Sequence, residues 1–211
     1  MRGLAVLLLL VWAAPSFAAY SGLMLIPTAD VLGPGQVCVD YYFDGGFPVG
    51  SGVGCALFDT QYGIGNRMEV GLDFDLTKDA DTIPLFNAKL MLRPIDTGLG
   101  AALGVHTIGE HIRPTTYLIA TKPVTENLRL HAGAQRTPED ETQGIAGLDY
   151  YCEGRLGFFA EYTSGDENSS MLSAYYQLTG EWGVALGWGI PNDSASDSWW
   201  AMNIGCVWPS E

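Results

Sequence analysis

Three histidines, His106, His111 and His131, are the residues of this chain best suited to moving protons near neutral pH. Nucleophilic catalysis also needs a hydroxyl or thiol within hydrogen-bond reach and a group to orient the base. His106 and His131 fall on the polar face of alternating segments, and no serine occupies a matching position. They read as hydrogen-bonded structural residues, and no catalytic residue is assigned. The acidic runs at 138–142, 164–169 and 192–197 offer clustered oxygen ligands of the kind Ca²⁺ takes. None has EF-hand spacing, so they read as solvated loops, with no metal ligand and no cofactor expected. Cys38, Cys55, Cys152 and Cys206 permit three disulfide pairings but form no CxxC pair. They read as small buried or lipid-facing side chains.

The remaining ionisable groups are ordered by what separates them. Residues 67–76, RMEVGLDFDL, alternate strictly: Met68, Val70, Leu72, Phe74 and Leu76 are apolar, and Arg67, Glu69, Gly71, Asp73 and Asp75 are charged or bare. A period of two is that of a β-strand with one greasy and one wet face. About ten residues also suffices for a tilted strand to cross a hydrocarbon layer. Soluble strands more often run to about five or six.

The pattern recurs. It predicts about twelve strands, near 36–43, 53–61, 67–76, 85–93, 99–106, 114–121, 127–134, 144–152, 155–162, 171–178, 182–189 and 199–208. The wet faces then carry Arg67, Glu69, Asp73, Asp75, Lys89, Arg93, Arg129, His131, Asp149, Arg155 and Glu161. Acids and bases are near balance there, which favours cross-strand pairs filling a lumen over a one-signed pore wall. Lys89 and Arg93 are the expected partners of the acids on 67–76. The second and sixth segments do not declare a face.

Links between these segments alternate long and short along the chain. Membrane barrels do this, with short turns at one end and longer loops at the other. The long links hold most of the surplus acid. Aromatic residues gather towards the segment ends: Tyr41, Phe43, Tyr62, Tyr150, Tyr162, Trp182, Trp188, Trp200 and Trp208. They read as girdles at the two membrane interfaces, where a ring is half in lipid and half in water.

Composition agrees. Hydrophobic residues make up 47% and charged residues only 16%, against a usual quarter. A formal net charge of −14 argues against nucleic acid, which wants a basic footprint, and against a polybasic membrane-surface protein. Arg2, the apolar run from Leu4 to Trp12 and Ser16-Phe17-Ala18 have the form of a cleaved secretory signal over 1–18. Residues 19–35 read as an N-terminal periplasmic segment that covers a mouth of the barrel, with Thr28 capping a helical turn at 29–32. Residues 36–211 form the barrel.

The prelude Gly22-Leu23-Met24-Leu25-Ile26-Pro27-Thr28-Ala29-Asp30-Val31-Leu32, followed by Gly35-Gln36, resembles the start of YjbH-like outer-membrane proteins. Tyr62-Gly63-Ile64-Gly65-Asn66-Arg67-Met68-Glu69-Val70-Gly71 is similar to their turn-then-strand signature. These motifs cover about a fifth of the chain. The resemblance implies a link to exopolysaccharide or envelope biogenesis and transfers no catalytic residue.

The expectation is an all-β, up-and-down, antiparallel transmembrane barrel of about twelve strands in an outer membrane, closed because lipid satisfies no open edge. Its partners are outer-membrane lipid and the assembly machinery, which reads an aromatic terminal strand. Trp208 supplies the aromatic, followed by Pro209, Ser210 and Glu211. It is expected to be a structural element or narrow conduit and not an enzyme, with its solute or polysaccharide undefined. A soluble exported barrel binding a ligand inside is one alternative, and it requires the opposite facing of polar and apolar residues. An outer-membrane lipid-modifying enzyme is the other.

Overall fold

The computed structural model describes residues 22–47, 54–77, 84–108, 114–152 and 154–209. The signal segment and His111 lie outside them. Strands β1 (Val37–Gly46), β2 (Cys55–Ile64), β3 (Met68–Asp75), β4 (Pro84–Arg93), β5 (Gly100–Ile108), β6 (Thr115–Pro123), β7 (Leu128–Arg136), β8 (Thr142–Tyr151), β9 (Leu156–Thr163), β10 (Ser169–Gln177), β11 (Trp182–Pro191) and β12 (Trp199–Trp208) follow in order. Each pairs antiparallel with its neighbours, and β1 closes on β12, with Val37 opposite Trp208 and Gly46 opposite Trp199. Closure leaves no strand edge unpaired.

Alternation sets the facing. Leu90, Leu103, Leu118, Leu130, Leu172 and Leu186 are exposed on the outer wall. Asp40, Asp59, Glu69, Lys89, His131, Asp149 and Glu161 are buried inside. Water would not tolerate that outer surface, but hydrocarbon would, so the wall is that of a membrane-spanning barrel.

Tyr62, Tyr150, Trp182 and Trp208 ring the end with the short links. Trp182 and Trp208 meet edge to face at 6.5 Å. Phe43, Tyr162, Trp188 and Trp200 ring the other end, where the Phe43 and Trp200 ring centroids are 5.6 Å apart. Tyr41 departs from its expected girdle position. It sits at the middle of β1 between Phe58 and Ile204, because the strand runs on to Gly46 instead of ending near 43.

A second departure concerns the prelude. Residues 22–36 do not lie across a mouth. They run up inside the lumen from Gln36 to a tight turn in which the Leu23 N–H donates to the Ile26 carbonyl at 2.9 Å. The helical turn expected at 29–32 is absent. Its backbone groups are taken by the wall: Ala29 N–H donates to Thr121, Leu32 N–H donates to Glu69, and the Thr28 carbonyl accepts from Lys89. The Thr28 hydroxyl bonds Asp30 at 3.0 Å and caps no helix.

The core is therefore the lumen itself. Leu23, Ile26 and Ala29 of the inner segment pack with Ala102, Tyr117, Ile119, Ile145, Phe159, Tyr175 and Ala185 of the wall. All four cysteines are free, with Cys38 and Cys206 buried.

Candidate functional site

The site is the lumen where the inner segment meets the wall. The segment cannot pair as a strand, because every wall strand already has two partners. Above Gly35 its backbone is met by wall side chains instead.

Three clamps do this. At the top, Glu161 of β9 accepts from three successive backbone N–H groups, Met24 at 3.0 Å, Leu25 at 2.6 Å and Ile26 at 2.9 Å. A carboxylate with three donors is held by charge-assisted bonds, which are about twice as strong as neutral ones. The turn reaches this height because β8 offers Gly147. A Cβ there would come within 2.7 Å of Ile26 Cδ1.

The middle clamp comes from β6, β7 and β8. Arg129 donates through Nη1 to Asp30 at 2.8 Å, and grips Asp149 through Nε and Nη2. The Thr121 hydroxyl accepts the Ala29 N–H at 2.9 Å and lies 2.9 Å from His131 Nδ1. His131 Nε2 is 3.6 Å from Asp149. Thr121, His131 and Asp149 thus line up as hydroxyl, imidazole and carboxylate. All three are fully buried, and the hydroxyl is committed to the inner segment. Thr121 is held between the Ala29 N–H and the His131 ring, while His131 Nε2 lies beyond hydrogen-bond distance of Asp149, so the row is not a continuous relay.

The lower clamp is the Lys89–Glu69 pair at 3.1 Å, with both side chains 0% exposed. Lys89 reaches the Thr28 carbonyl at 3.4 Å, and Glu69 accepts the Leu32 N–H at 2.9 Å. Below it the segment is sewn to β2, where Gly35 N–H donates to the Gly63 carbonyl and Gly63 N–H to the Gln36 carbonyl. Gly63 has to be bare, since a Cβ would strike the Gly33 carbonyl.

The opposite wall carries acids only. Asp40, Asp59 and Asp73 stand in one register row across β1, β2 and β3. Asp40 accepts from the Cys38 thiol at 3.0 Å, and Asp73 accepts from Asn87 at 2.8 and 2.9 Å. No donor among the described residues reaches either oxygen of Asp59.

Of the charged residues assigned to the wet face, Glu69, Asp73, Lys89, Arg129, His131, Asp149 and Glu161 lie in the lumen. Asp75 caps the Thr77 N–H at 2.8 Å near the long-link end. Arg67, Arg93 and Arg155 do not point inward. Arg67 and Arg155 lie in the turns before β3 and β9, and Arg93 closes β4 after a register shift. All three are exposed. Arg93 bonds Thr97, and Arg155 bonds the Leu178 carbonyl. Alternation stops where the turn begins, so Arg67 and Arg155, one residue outside their strands, follow water, and at Arg93 the register shift after Met91 breaks the alternation within the strand.

Sequence reasoning missed Asp30, Thr121 and the apolar inner residues Tyr117, Ile119 and Ile145. The signal was there in part. Ile145 shares its face with Gln143, Gly147 and Asp149, so something apolar had to cover it. Among the described residues, no group of three or more His, Cys, Asp or Glu side chains is arranged to hold a metal ion.

No family model and no curated protein matches the chain. Its fold is similar to that of a KdgM porin, with a TM-score of 0.62 and 12% identity over 82% of this chain and 99% of that one. A KdgM porin in complex with disordered oligogalacturonate gives a TM-score of 0.58, also at 12% identity and the same coverage. At such identity the likeness is one of fold: a closed, twelve-stranded, antiparallel porin-type barrel.

Proposed function

We propose that this chain is an outer-membrane barrel of the YjbH-like type, non-enzymatic, serving envelope or exopolysaccharide biogenesis as a structural element or narrow conduit. The observation that carries the membrane reading is the facing of the wall. Exposed leucines and two aromatic rings lie outside, and buried carboxylates lie inside. A soluble ligand-binding barrel requires the reverse. The short-link end, where the inner segment enters, would face the periplasm. The YjbH-like assignment rests on the prelude and turn motifs, and the prelude is the stretch that fills the lumen.

Oligogalacturonate, bound by the KdgM porin, is a polyanion. This lumen holds Asp40, Asp59, Glu69, Asp73, Asp149 and Glu161 against Lys89 and Arg129. Lys89 and Arg129 are already paired with Glu69 and Asp149, which leaves neither of them to receive a polyanion, so a solute is better sought among neutral glycans and cations. The test is membrane fractionation with a detergent gel. The protein should partition with outer-membrane lipid and migrate faster unheated than boiled. A soluble protein with no heat-dependent mobility would overturn the membrane reading, and unchanged polysaccharide secretion on deletion would overturn the biogenesis role.

A further inference from the structure

We propose that residues 22–36 form a gate, latched by Glu161, that leaves the lumen on a hinge at Gly33-Pro34-Gly35. The inference rests on the membrane-barrel reading above. A permanent stopper and a gate differ in what departure costs the wall.

Here the wall keeps most of its own pairs. Arg129 stays on Asp149, Lys89 stays on Glu69, and Thr121 stays on His131. Glu161 is the exception, since each hydrogen bond resolved to it comes from the inner segment. Glu161 therefore loses every resolved partner on opening, whereas Glu69, Lys89, Thr121 and Arg129 each keep one on the wall, which makes Glu161 the latch.

The segment is packed into the core, but above Gly35 each backbone bond resolved between it and the wall runs to a wall side chain. Its one isolated β-bridge, Gly22 with Pro27, is internal. Gly35 has a φ of 74°, a left-handed conformation that glycine enters freely, at the point where the segment joins β1. Side-chain bonds can be exchanged for water one at a time, whereas a strand ladder would have to break together.

The experiment is single-channel recording of the purified full-length protein in planar bilayers. Wild type should be mostly closed with brief openings. Glu161→Ala should raise the open fraction by about tenfold or more, as expected for losing charge-assisted bonds. Glu161→Gln, which keeps the side-chain shape, should give a smaller rise and stands in if the alanine variant fails to fold. In a background with the four native cysteines replaced by alanine, Ile26→Cys with Gly147→Cys should be silent when oxidised and recover openings on reduction.

The gate is overturned if the oxidised pair conducts as the reduced one does. It is also overturned if both Glu161 variants stay as closed as wild type while deletion of 22–34 conducts, which would make the segment a fixed stopper. Silence of every form, with heat-dependent mobility intact, overturns the gate and leaves the membrane barrel standing. Loss of that mobility in wild type would instead count against the barrel reading.

Discussion

The two walls of the lumen solve the same problem differently. From β4 to β9, Lys89, Thr121, Arg129 and Glu161 each meet a backbone group or side chain of the inner segment. From β1 to β3, Asp40, Asp59 and Asp73 face one another across the ladder, and no contact to the segment is resolved for them. Both walls bury charge where desolvation is costly. Lys89, Arg129, Glu161 and, on the near end of β3, Glu69 convert that burial into a grip, and the aspartate row does not. Charge in a barrel lumen is therefore a poor guide to a pore unless one knows what each group holds.

The largest effect expected on the gripping wall comes from Lys89→Met. It strands Glu69 without its cation in a site that is 0% exposed. Breaking such a pair costs about 3–5 kcal/mol. Urea titration in detergent micelles should show that loss, and Glu69→Leu added to Lys89→Met should recover part of it. If Lys89→Met unfolds at the wild-type midpoint, the pair does not hold the lower clamp. Leu172→Arg then asks whether the back of the wall faces lipid. Leu172 is 49% exposed at the middle of β10. An arginine near mid-membrane costs about 2–4 kcal/mol. A variant folding as well as wild type in bilayers would place that face in water.

Much of this was legible from the period alone. Strand number, the antiparallel up-and-down order and the inward facing of Glu69, Lys89 and Glu161 follow from alternation, because a strand can present only two faces. The Lys89–Glu69 pair followed from adjacency. What alternation could not supply was the third partner. Residues 22–36 have no period, so neither their path nor Asp30 against Arg129 could be read from it. The apolar Ile119 lies in the sixth segment, which declares no face in the sequence, and both it and Ile145 point inward. They are the imprint of Leu23 and Ile26 on the wall. Arg67 and Arg155 went the other way because the same period was extended into turns where it no longer applies, and Arg93 because a register shift after Met91 breaks the period inside β4.

The imprint can be tested by filling it. Gly147→Val places branched methyls where Ile26 Cδ1 and Leu23 Cδ1 already sit, 2.7 and 3.1 Å from a Cβ. Overpacking of this kind costs about 1–3 kcal/mol. If the segment lets go instead of straining, the variant keeps its stability, and residues 22–32 become accessible to protease from the short-link end. Either outcome locates the segment against β8. An unchanged midpoint with unchanged protection would mean that it does not seat there.

The acid wall should respond with the opposite sign. Asp59 is 1% exposed and lies between Asp40 and Asp73, with no donor among the described residues on either oxygen. Asp59→Asn is nearly the same shape and brings an amide that can donate to a neighbouring carboxylate. It removes one of three crowded acids at the same time. We expect a gain of about 1 kcal/mol, the usual net worth of a hydrogen bond. The change is read as a raised urea midpoint with an unaltered slope, so that it reports stability and not compactness. A loss of the same size would mean that the row is held by something the wall alone does not provide, and the contrast between the two walls would fail. The magnitude is the smallest of the four, but its sign is the most informative. A wall that grips loses stability when a charge is removed, and a wall that only tolerates its charges gains it.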